Sequence, residues 1–358
     1  MISKKILKLI SAALASVMFV NSFGTLTRAT SYDRNAKAAI ASTKKDTNKS
    51  KIRWILGGCG SGAGALALVS YLLYRNTTKT TYVYIESDSP AVHLNNELSK
   101  NQPINVTADD WFNRLGGTQK DIDDYNKTLK PGYTDSFNSL YHNTRSKYRQ
   151  IALDTNRYSQ EIAPNVRDQT NGFKEAFTRL LVIYYTNHTD ISYTQGWGEP
   201  MYMIYRKFRL ERDTNGQPLG EDDEAKVYFI YTKFMKMLAK FNNANQWDSL
   251  AQGYHDKYIK ISGNGIDNII EKYASSDEDV ESATISNIFL NGIFAAGFRV
   301  LGCNESIRVW DHIIMDDVFV NPSGDFNADT VLDNLNVIIY QHFKTPADIE
   351  ALFSSKKK

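Results

Sequence analysis

Residues Ile151 to Pro164 read IALDTNRYSQEIAP. Ile151, Asp154 and Arg157 recur at every third position of this stretch, so a helix places them along one face, with the arginine at the exposed end. This spacing alone does not identify a function. Together with a second stretch, it predicts one half of a two-part site.

Residues 191–196 read ISYTQG and follow a long apolar segment. Gly196 is typical of a position where a helix has stopped and the chain turns. A turn of this kind projects the side chain of Gln195 from a fixed point, with Tyr193 two residues before it. The arginine of the first stretch and the glutamine of the second are predicted to act as a pair.

Helical periodicity dominates the chain after Trp111, where no alternating strand pattern of any length occurs. Asn171 is predicted to cap the helix that precedes the ISYTQG stretch. The acidic run at 221–224 suits the start of another helix. The fold class predicted from these patterns is mostly α. Apolar residues recur on one face of these two helices at Phe173, Phe177, Leu180, Leu181, Tyr184, Val227, Ile230, Tyr231, Phe234 and Leu238.

Composition excludes several classes of function. The 358 residues include 42 basic and 40 acidic side chains, so the formal net charge of +2 creates no field that favours nucleic acid. Cys59 and Cys303 are too few for a disulfide framework or a zinc site, and the six histidines lack metal-ligand spacing. We expect no cofactor or metal that belongs to this chain.

The N-terminal part resembles a targeting region. Lys4, Lys5 and Lys8 precede the apolar run Leu9–Val20, which is the layout of a secretory signal peptide over residues 1–29. The alternative is a short buried helix at the terminus. Residues 30–53 are rich in Lys, Ala, Ser and Thr, and are predicted to be a basic, disordered linker.

Trp54–Tyr74 contains 21 residues without a charge, which is long enough for a transmembrane helix. Gly58 and Gly62 have the spacing that permits two membrane helices to dimerise closely. The alternative is a dinucleotide-binding turn, because residues 58–63 also fit G-x-G-x-x-A. Residues 75–106 are predicted to be a polar stalk.

Two signals disagree about which side of a membrane the rest of the chain occupies. Basic residues are more numerous before Trp54–Tyr74 than after it, which favours a cytoplasmic N-terminal side. A cleaved signal peptide favours the opposite side. The sequence therefore predicts a single-pass membrane-anchored or an exported protein, and leaves the side open. One hypothesis is export by an intracellular bacterium or parasite into a host.

At Ile151–Arg157 and Tyr193–Gly196 the chain resembles the TBC-type GTPase-activating domain, which acts on Rab GTPases. The resemblance covers about Trp111 to Phe353, so we assign residues 107–353 to this domain and 354–358 to a basic tail. The matching motifs are IxxDxxR at Ile151, Asp154 and Arg157, YxQG at Tyr193, Gln195 and Gly196, RxWD at 308–311, and the acidic helix start at 221–224.

The chain also departs from the family pattern. Tyr158 replaces the usual threonine after the arginine, and Trp197 and Gly198 replace the usual methionine and asparagine after QG. The early RxxxW element is not evident, because Thr107 lies four residues before Trp111. These departures support an alternative function, a TBC-fold binding module that recognises a small GTPase or another partner without activating hydrolysis.

The resemblance implies a GTPase-activating protein that supplies two residues to a GTP-bound Rab partner. Arg157 stabilises the charge on the transferring phosphoryl group, and Gln195 orients the attacking water. The resemblance also implies that Asp154 holds the guanidinium and that Tyr193 packs behind the glutamine. GTP and magnesium belong to the partner, so this chain is not itself the GTPase. The alternative for Arg157 and Asp154 is an ordinary surface ion pair.

Overall fold

The computed structural model of the protein describes residues 82, 84–100, 102, 104–129, 136–162, 167–212, 218–263 and 265–354. These residues form fifteen α-helices, and no strand occurs among them beyond an isolated antiparallel bridge between Val320 and Phe326. The prediction of a mostly α fold is confirmed. The helices are α1 His93–Ser99, α2 Ala108–Arg114, α3 Gln119–Thr128, α4 Phe137–His142, α5 Arg149–Ile162, α6 Arg167–Asn187, α7 Gly198–Arg212, α8 Glu221–Leu238, α9 Trp247–Ser262, α10 Gly265–Ala274, α11 Glu278–Asn291, α12 Phe298–Leu301, α13 Cys303–Met315, α14 Ala328–His342 and α15 Pro346–Ser354.

Local sequence explains where several helices begin. Thr107 caps α2 reciprocally with Asp110, because each side chain accepts a hydrogen bond from the backbone N–H of the other residue. Asp277 caps α11 through the backbone N–H groups of Asp279 and Val280. These caps satisfy donors that the first turn of a helix leaves unpaired.

The helices share one apolar core. Helix α5 packs against α6, α7 against α8, and α9 against α11, while α14 contacts both α1 and α9. Burying several large aromatic side chains removes apolar surface from water at about 25 cal/mol per Å². The largest of the fully buried side chains include Trp111, Trp197, Trp310, Tyr158, Tyr202, Tyr205 and Tyr231.

The structure corrects the polar stalk predicted for residues 75–106. A 3₁₀ turn at Pro90–Val92 leads into α1, and Val92, Leu94 and Leu98 are buried in the core. The backbone N–H of Leu94 donates to Asn334 on α14 at 2.9 Å. The helical domain therefore extends before Thr107, because this short segment covers apolar surface on α13 and α14.

The start of α6 also differs from the prediction. The helix begins at Arg167, four residues before Asn171, which therefore does not cap it. Residues 167–171 contain neither proline nor glycine, so nothing in their backbone stops the helix from extending towards the N-terminus. The helix then reaches Asn187 and leads directly into the loop at 191–197.

The targeting predictions concern residues outside the described part of the chain. These are the signal-like segment 1–29, the linker 30–53 and the span Trp54–Tyr74, together with its proposed dimer contact at Gly58 and Gly62. Within the ranges that the structure describes, no helix combines the length and the apolar character needed to cross a bilayer.

We predict that a protein starting at Thr107 is less stable than one starting at Lys79. Loss of Val92, Leu94 and Leu98 exposes apolar surface, at about 1.5–3 kcal/mol for each fully buried side chain, and leaves Asn334 without its Leu94 donor. Urea unfolding should therefore show that the free energy of unfolding falls by roughly 4.5–9 kcal/mol. Leu94→Ala in the longer protein should account for about 2–4 kcal/mol. Equal unfolding midpoints for the two starting points would show that α1 is not part of the core.

Candidate functional site

Asp154 joins the two stretches that the sequence analysis paired. Its carboxylate has no exposed surface, although it lies on α5 only three residues before an arginine that is 45% exposed. Arg157 donates from Nη2 to Oδ1 at 2.9 Å, and the hydroxyl of Tyr193 donates to Oδ2 at 2.8 Å. Gln150 adds a third donor to Oδ1 at 3.2 Å. Helix α5, which carries Arg157, and the loop at 191–197, which we call the glutamine loop, are thus connected through one buried carboxylate.

The loop around Gln195 combines an exposed tip with a buried base. Gln195 is exposed, whereas the next residues, Gly196 and Trp197, are buried. Gly196 has a φ of +111°, a conformation that strains any residue with a Cβ. The backbone N–H of Trp197 closes the turn by donating to Thr194 at 3.1 Å. The exposed Gln195 therefore lies at the tip of a hydrogen-bonded turn.

Trp197 anchors the loop to the apolar core. Its ring stacks on Phe294 with centroids 5.3 Å apart and an interplanar angle of 22°. Its carbonyl accepts a hydrogen bond from Tyr231 at 2.9 Å. A tryptophan that is only 1% exposed contributes packing and not a contact surface. This departure from the family pattern therefore lies inside the domain.

Tyr158 and Gly198 are two further departures, and they contact each other. Tyr158 is 2% exposed and stacks on Tyr202. A Cβ on Gly198 would lie 2.8 Å from the hydroxyl of Tyr193 and 3.1 Å from Cε2 of Tyr158. A larger residue on α5 thus occurs together with a smaller residue at the start of α7. The two departures are complementary in volume across the α5–α7 contact.

Buried Glu199 and the partly exposed Arg299 form an ion pair behind the glutamine loop. Arg299 donates from Nε to Oε1 of Glu199 at 2.8 Å, and its Nη2 lies 2.6 Å from the same oxygen. Burial raises the pKa of Glu199, and the neighbouring guanidinium opposes that rise. Burial, together with the nearby acidic groups, also raises the pKa of Tyr193 well above its ordinary value. The sequence analysis missed this pair, because its residues are 100 positions apart.

The RxWD motif at 308–311 lies on α13, where its tryptophan and aspartate are buried in the core. Trp310 is fully buried, and its Nε1 donates to the carbonyl of Ala296 at 2.9 Å. Asp311 accepts from Nε1 of Trp111 at 2.8 Å and pairs with Lys207 at 3.0 Å. Burial raises the pKa of Asp311 against the opposing charge of Lys207. The motif thus connects α13 to α2 through the bond between Trp111 and Asp311.

The acidic start of α8 contributes one buried residue. Glu224 is 1% exposed and accepts from Nε and Nη2 of Arg179 at 2.8 and 2.6 Å. Tyr125 donates to the same carboxylate at 3.0 Å. This bidentate pair connects α3, α6 and α8. It is a second arginine–glutamate pair with a buried carboxylate, and it lies between helices that do not include the glutamine loop.

No group of three or more His, Cys, Asp or Glu side chains among the described residues is arranged to hold a metal ion. His312 is half-buried, and burial lowers its pKa. Asp154 links the helix that carries the exposed Arg157 to the turn that carries the exposed Gln195, so both side chains are available for contact with another molecule.

An all-helical domain that joins IxxDxxR and YxQG motifs at a buried aspartate defines the class of this protein. The profile of the Rab-GTPase-TBC domain family matches residues 97–321. The chain belongs to this family, whose members are generally GTPase activators of Rab proteins. A search of curated proteins found no significant match, and neither did a search of solved structures.

The limits of the family match differ from the limits of the folded domain. The match begins at residue 97, within α1, so it too starts before Thr107. It ends at residue 321, before α14 and α15. Helix α14 nevertheless packs on α1 and α9 and carries buried residues along its length. The last two helices are therefore part of the same core.

We predict that Gly198→Ala destabilises the protein by about 1–3 kcal/mol, because the added methyl overpacks the contact with Tyr158 and Tyr193. Tyr158→Phe should recover part of this loss, since it removes a hydroxyl 3.2 Å from the new Cβ. Urea unfolding of the single and double variants measures both effects.

Gly253→Ala is the matched control: its Cβ meets nothing within 4 Å inside α9, so it should stabilise the protein by about 0.5–1 kcal/mol. Equal stability of Gly198→Ala and wild type would refute the close packing at this contact.

Proposed function

We propose that this protein accelerates GTP hydrolysis by a Rab-type small GTPase, with Arg157 and Gln195 supplied in trans. The observation that supports this most directly is the shared contact of Arg157 and Tyr193 with buried Asp154. That contact fixes the arginine relative to the loop that carries Gln195. GTP and magnesium would be bound by the partner.

Arg157 has the chemistry that the reaction requires. GTP hydrolysis passes through a loose transition state whose negative charge is spread over the phosphoryl oxygens, and a guanidinium stabilises that charge directly. An arginine supplied in trans contributes about 10³ to 10⁵ in rate, or about 4–7 kcal/mol. Holding the guanidinium on Asp154 before the partner binds reduces the entropy that is lost when the complex forms.

The geometry argues against an ordinary surface ion pair. An exposed pair has both partners in water and contributes little to stability. Asp154 is instead fully buried and accepts a second hydrogen bond from another segment of the chain. Burying a carboxylate is costly unless its hydrogen bonds are made. The bonds from Arg157 and Tyr193 therefore fix the orientation of α5 relative to the loop.

Gln195 is proposed to orient the attacking water. Its amide offers a donor and an acceptor in one plane, which suits a water that must point a lone pair at phosphorus. The residue is exposed at the tip of a turn with a buried base. A side chain placed in this way can enter the partner without unfolding the loop.

The residues that depart from the family pattern do not lie on the contact surface. Tyr158 and Trp197 are 2% and 1% exposed, and Gly198 is buried between tyrosines. They therefore alter the packing under the site and leave its exposed arginine and glutamine in place. We therefore propose activation of GTP hydrolysis. The experiment below distinguishes this function from binding without activation.

We predict that the protein accelerates single-turnover GTP hydrolysis by at least one member of a Rab panel. Arg157→Ala should reduce that rate by roughly 10³-fold or more, and Arg157→Lys should restore little, because an ammonium lacks the planar donor array. Gln195→Ala should reduce it by roughly 100-fold.

Lys127→Ala is the control for this experiment. Lys127 and Asp124 form an exposed ion pair with the same i,i+3 spacing and the same 2.9 Å distance as Arg157 and Asp154. Its loss should leave hydrolysis unchanged. Absence of acceleration for every Rab tested would refute the proposal. Tight binding to a GTP-loaded Rab that survives Arg157→Ala, with no change in hydrolysis, would instead identify a binding module.

A further inference from the structure

We propose that Glu199 and Arg299 are positioning residues for Gln195, and that their ion pair fixes the turn at Gly196. The inference rests on the proposed role of Gln195. Glu199 follows the glutamine by four residues, and its backbone N–H donates to the carbonyl of Gly196 at 3.2 Å. Its side chain turns inward, where Arg299 reaches it from α12.

The pair fills the inner side of the glutamine turn. A Cβ on Gly196 would lie 3.3 Å from Oε2 of Glu199 and 3.5 Å from Nη2 of Arg299. Phe294 closes the same space, with its ring edge 3.5 Å from that Cβ. The turn therefore rests on the carboxylate and the guanidinium, and any displacement of the pair leaves space into which the turn can relax.

Stability alone does not explain the pair. Burying two charges is so unfavourable that packed apolar side chains of similar volume are often as stable or more stable. Glu199 is 2% exposed, and burial raises the pKa of its carboxyl in spite of the neighbouring Arg299, so the carboxylate is held in the interior at a cost. A buried pair that is not optimal for stability is better explained by the geometry that it imposes on its neighbours, here the backbone of the glutamine loop.

Arg299 is itself held in place by an unusual backbone segment. Ala296 and Gly297 have φ values of +52° and +84°, and the first of these is strained for a residue with a side chain. Trp310 stabilises that segment through its bond to the carbonyl of Ala296. The guanidinium also donates from Nη1 to Asn291 at 3.2 Å. The tryptophan of the RxWD motif is thereby connected to the glutamine loop through Arg299 and Glu199.

A kinetic cycle on the full chain tests whether the pair acts through Gln195. Arg299→Met should reduce kcat for GTP hydrolysis by roughly 10- to 100-fold, because misplacing a catalytic side chain by about 1 Å has an effect of this size. The KM for the GTP-bound Rab should change by less than about threefold. In a Gln195→Ala background, Arg299→Met should change the rate by less than about twofold, whereas in an Arg157→Ala background it should retain its full effect.

Two further variants separate positioning from stability. Arg299→Lys keeps the charge, so it should fold even if Arg299→Met does not, and it should lose less activity than Arg299→Met. Arg179→Met removes the second arginine–glutamate pair, Arg179 with Glu224, which lies outside the glutamine loop. It should lower stability without the selective loss of kcat. A loss of kcat that is equally large in the Gln195→Ala background would overturn the inference.

Hydrogen exchange provides a test that does not depend on GTPase activation. The amide of Trp197 is protected by its bond to Thr194, so loosening the turn should accelerate its exchange. We expect roughly tenfold faster exchange in Arg299→Met and Glu199→Gln, a smaller increase in Arg299→Lys, and no selective change in Arg179→Met. Unchanged exchange would overturn the inference. Faster exchange in a protein that activates no Rab would refute the proposed function and still support the positioning of the loop.

Discussion

The carboxylate of Asp154 is the constraint on which the site depends. A buried carboxylate is tolerated only when its hydrogen bonds are made, and here the donors come from both α5 and the loop after α6. Moving either segment would leave an uncompensated charge in the interior. The position of Arg157 relative to Gln195 is therefore determined by the folded state and does not wait for the partner.

Several packing contacts make this arrangement rigid. Gly198 admits the ring of Tyr158 between α5 and α7, and Trp197 anchors the loop on Phe294. Dense packing of this kind transmits small displacements, so a substitution several residues from the exposed side chains is expected to alter their geometry. The buried departures from the family pattern are consistent with a domain that preserves this geometry by complementary changes in volume.

Local patterns predicted much of the fold and half of the site. Periodicity placed Ile151, Asp154 and Arg157 on one helix face, and the structure agrees, because i and i+3 positions adjoin on any helix. The segment 90–99 was missed, since a short helix carries too few apolar positions to reveal periodicity. Contacts such as Trp111 with Asp311 cannot be predicted from one sequence, because 200 residues separate the partners and nothing local marks the pairing.

The same reasoning explains why the missed residues are those behind the exposed side chains. A residue that meets a partner must carry particular chemistry, and an arginine or a glutamine in a recurring motif reveals it. A residue that positions another needs only the right shape and charge in three dimensions, as with Glu199 and Arg299. If the guanidinium and the amide are held in place before the partner binds, little binding energy is needed to order them. More of the binding energy is then available to stabilise the transition state of GTP hydrolysis, which is the state that a GTPase activator must stabilise.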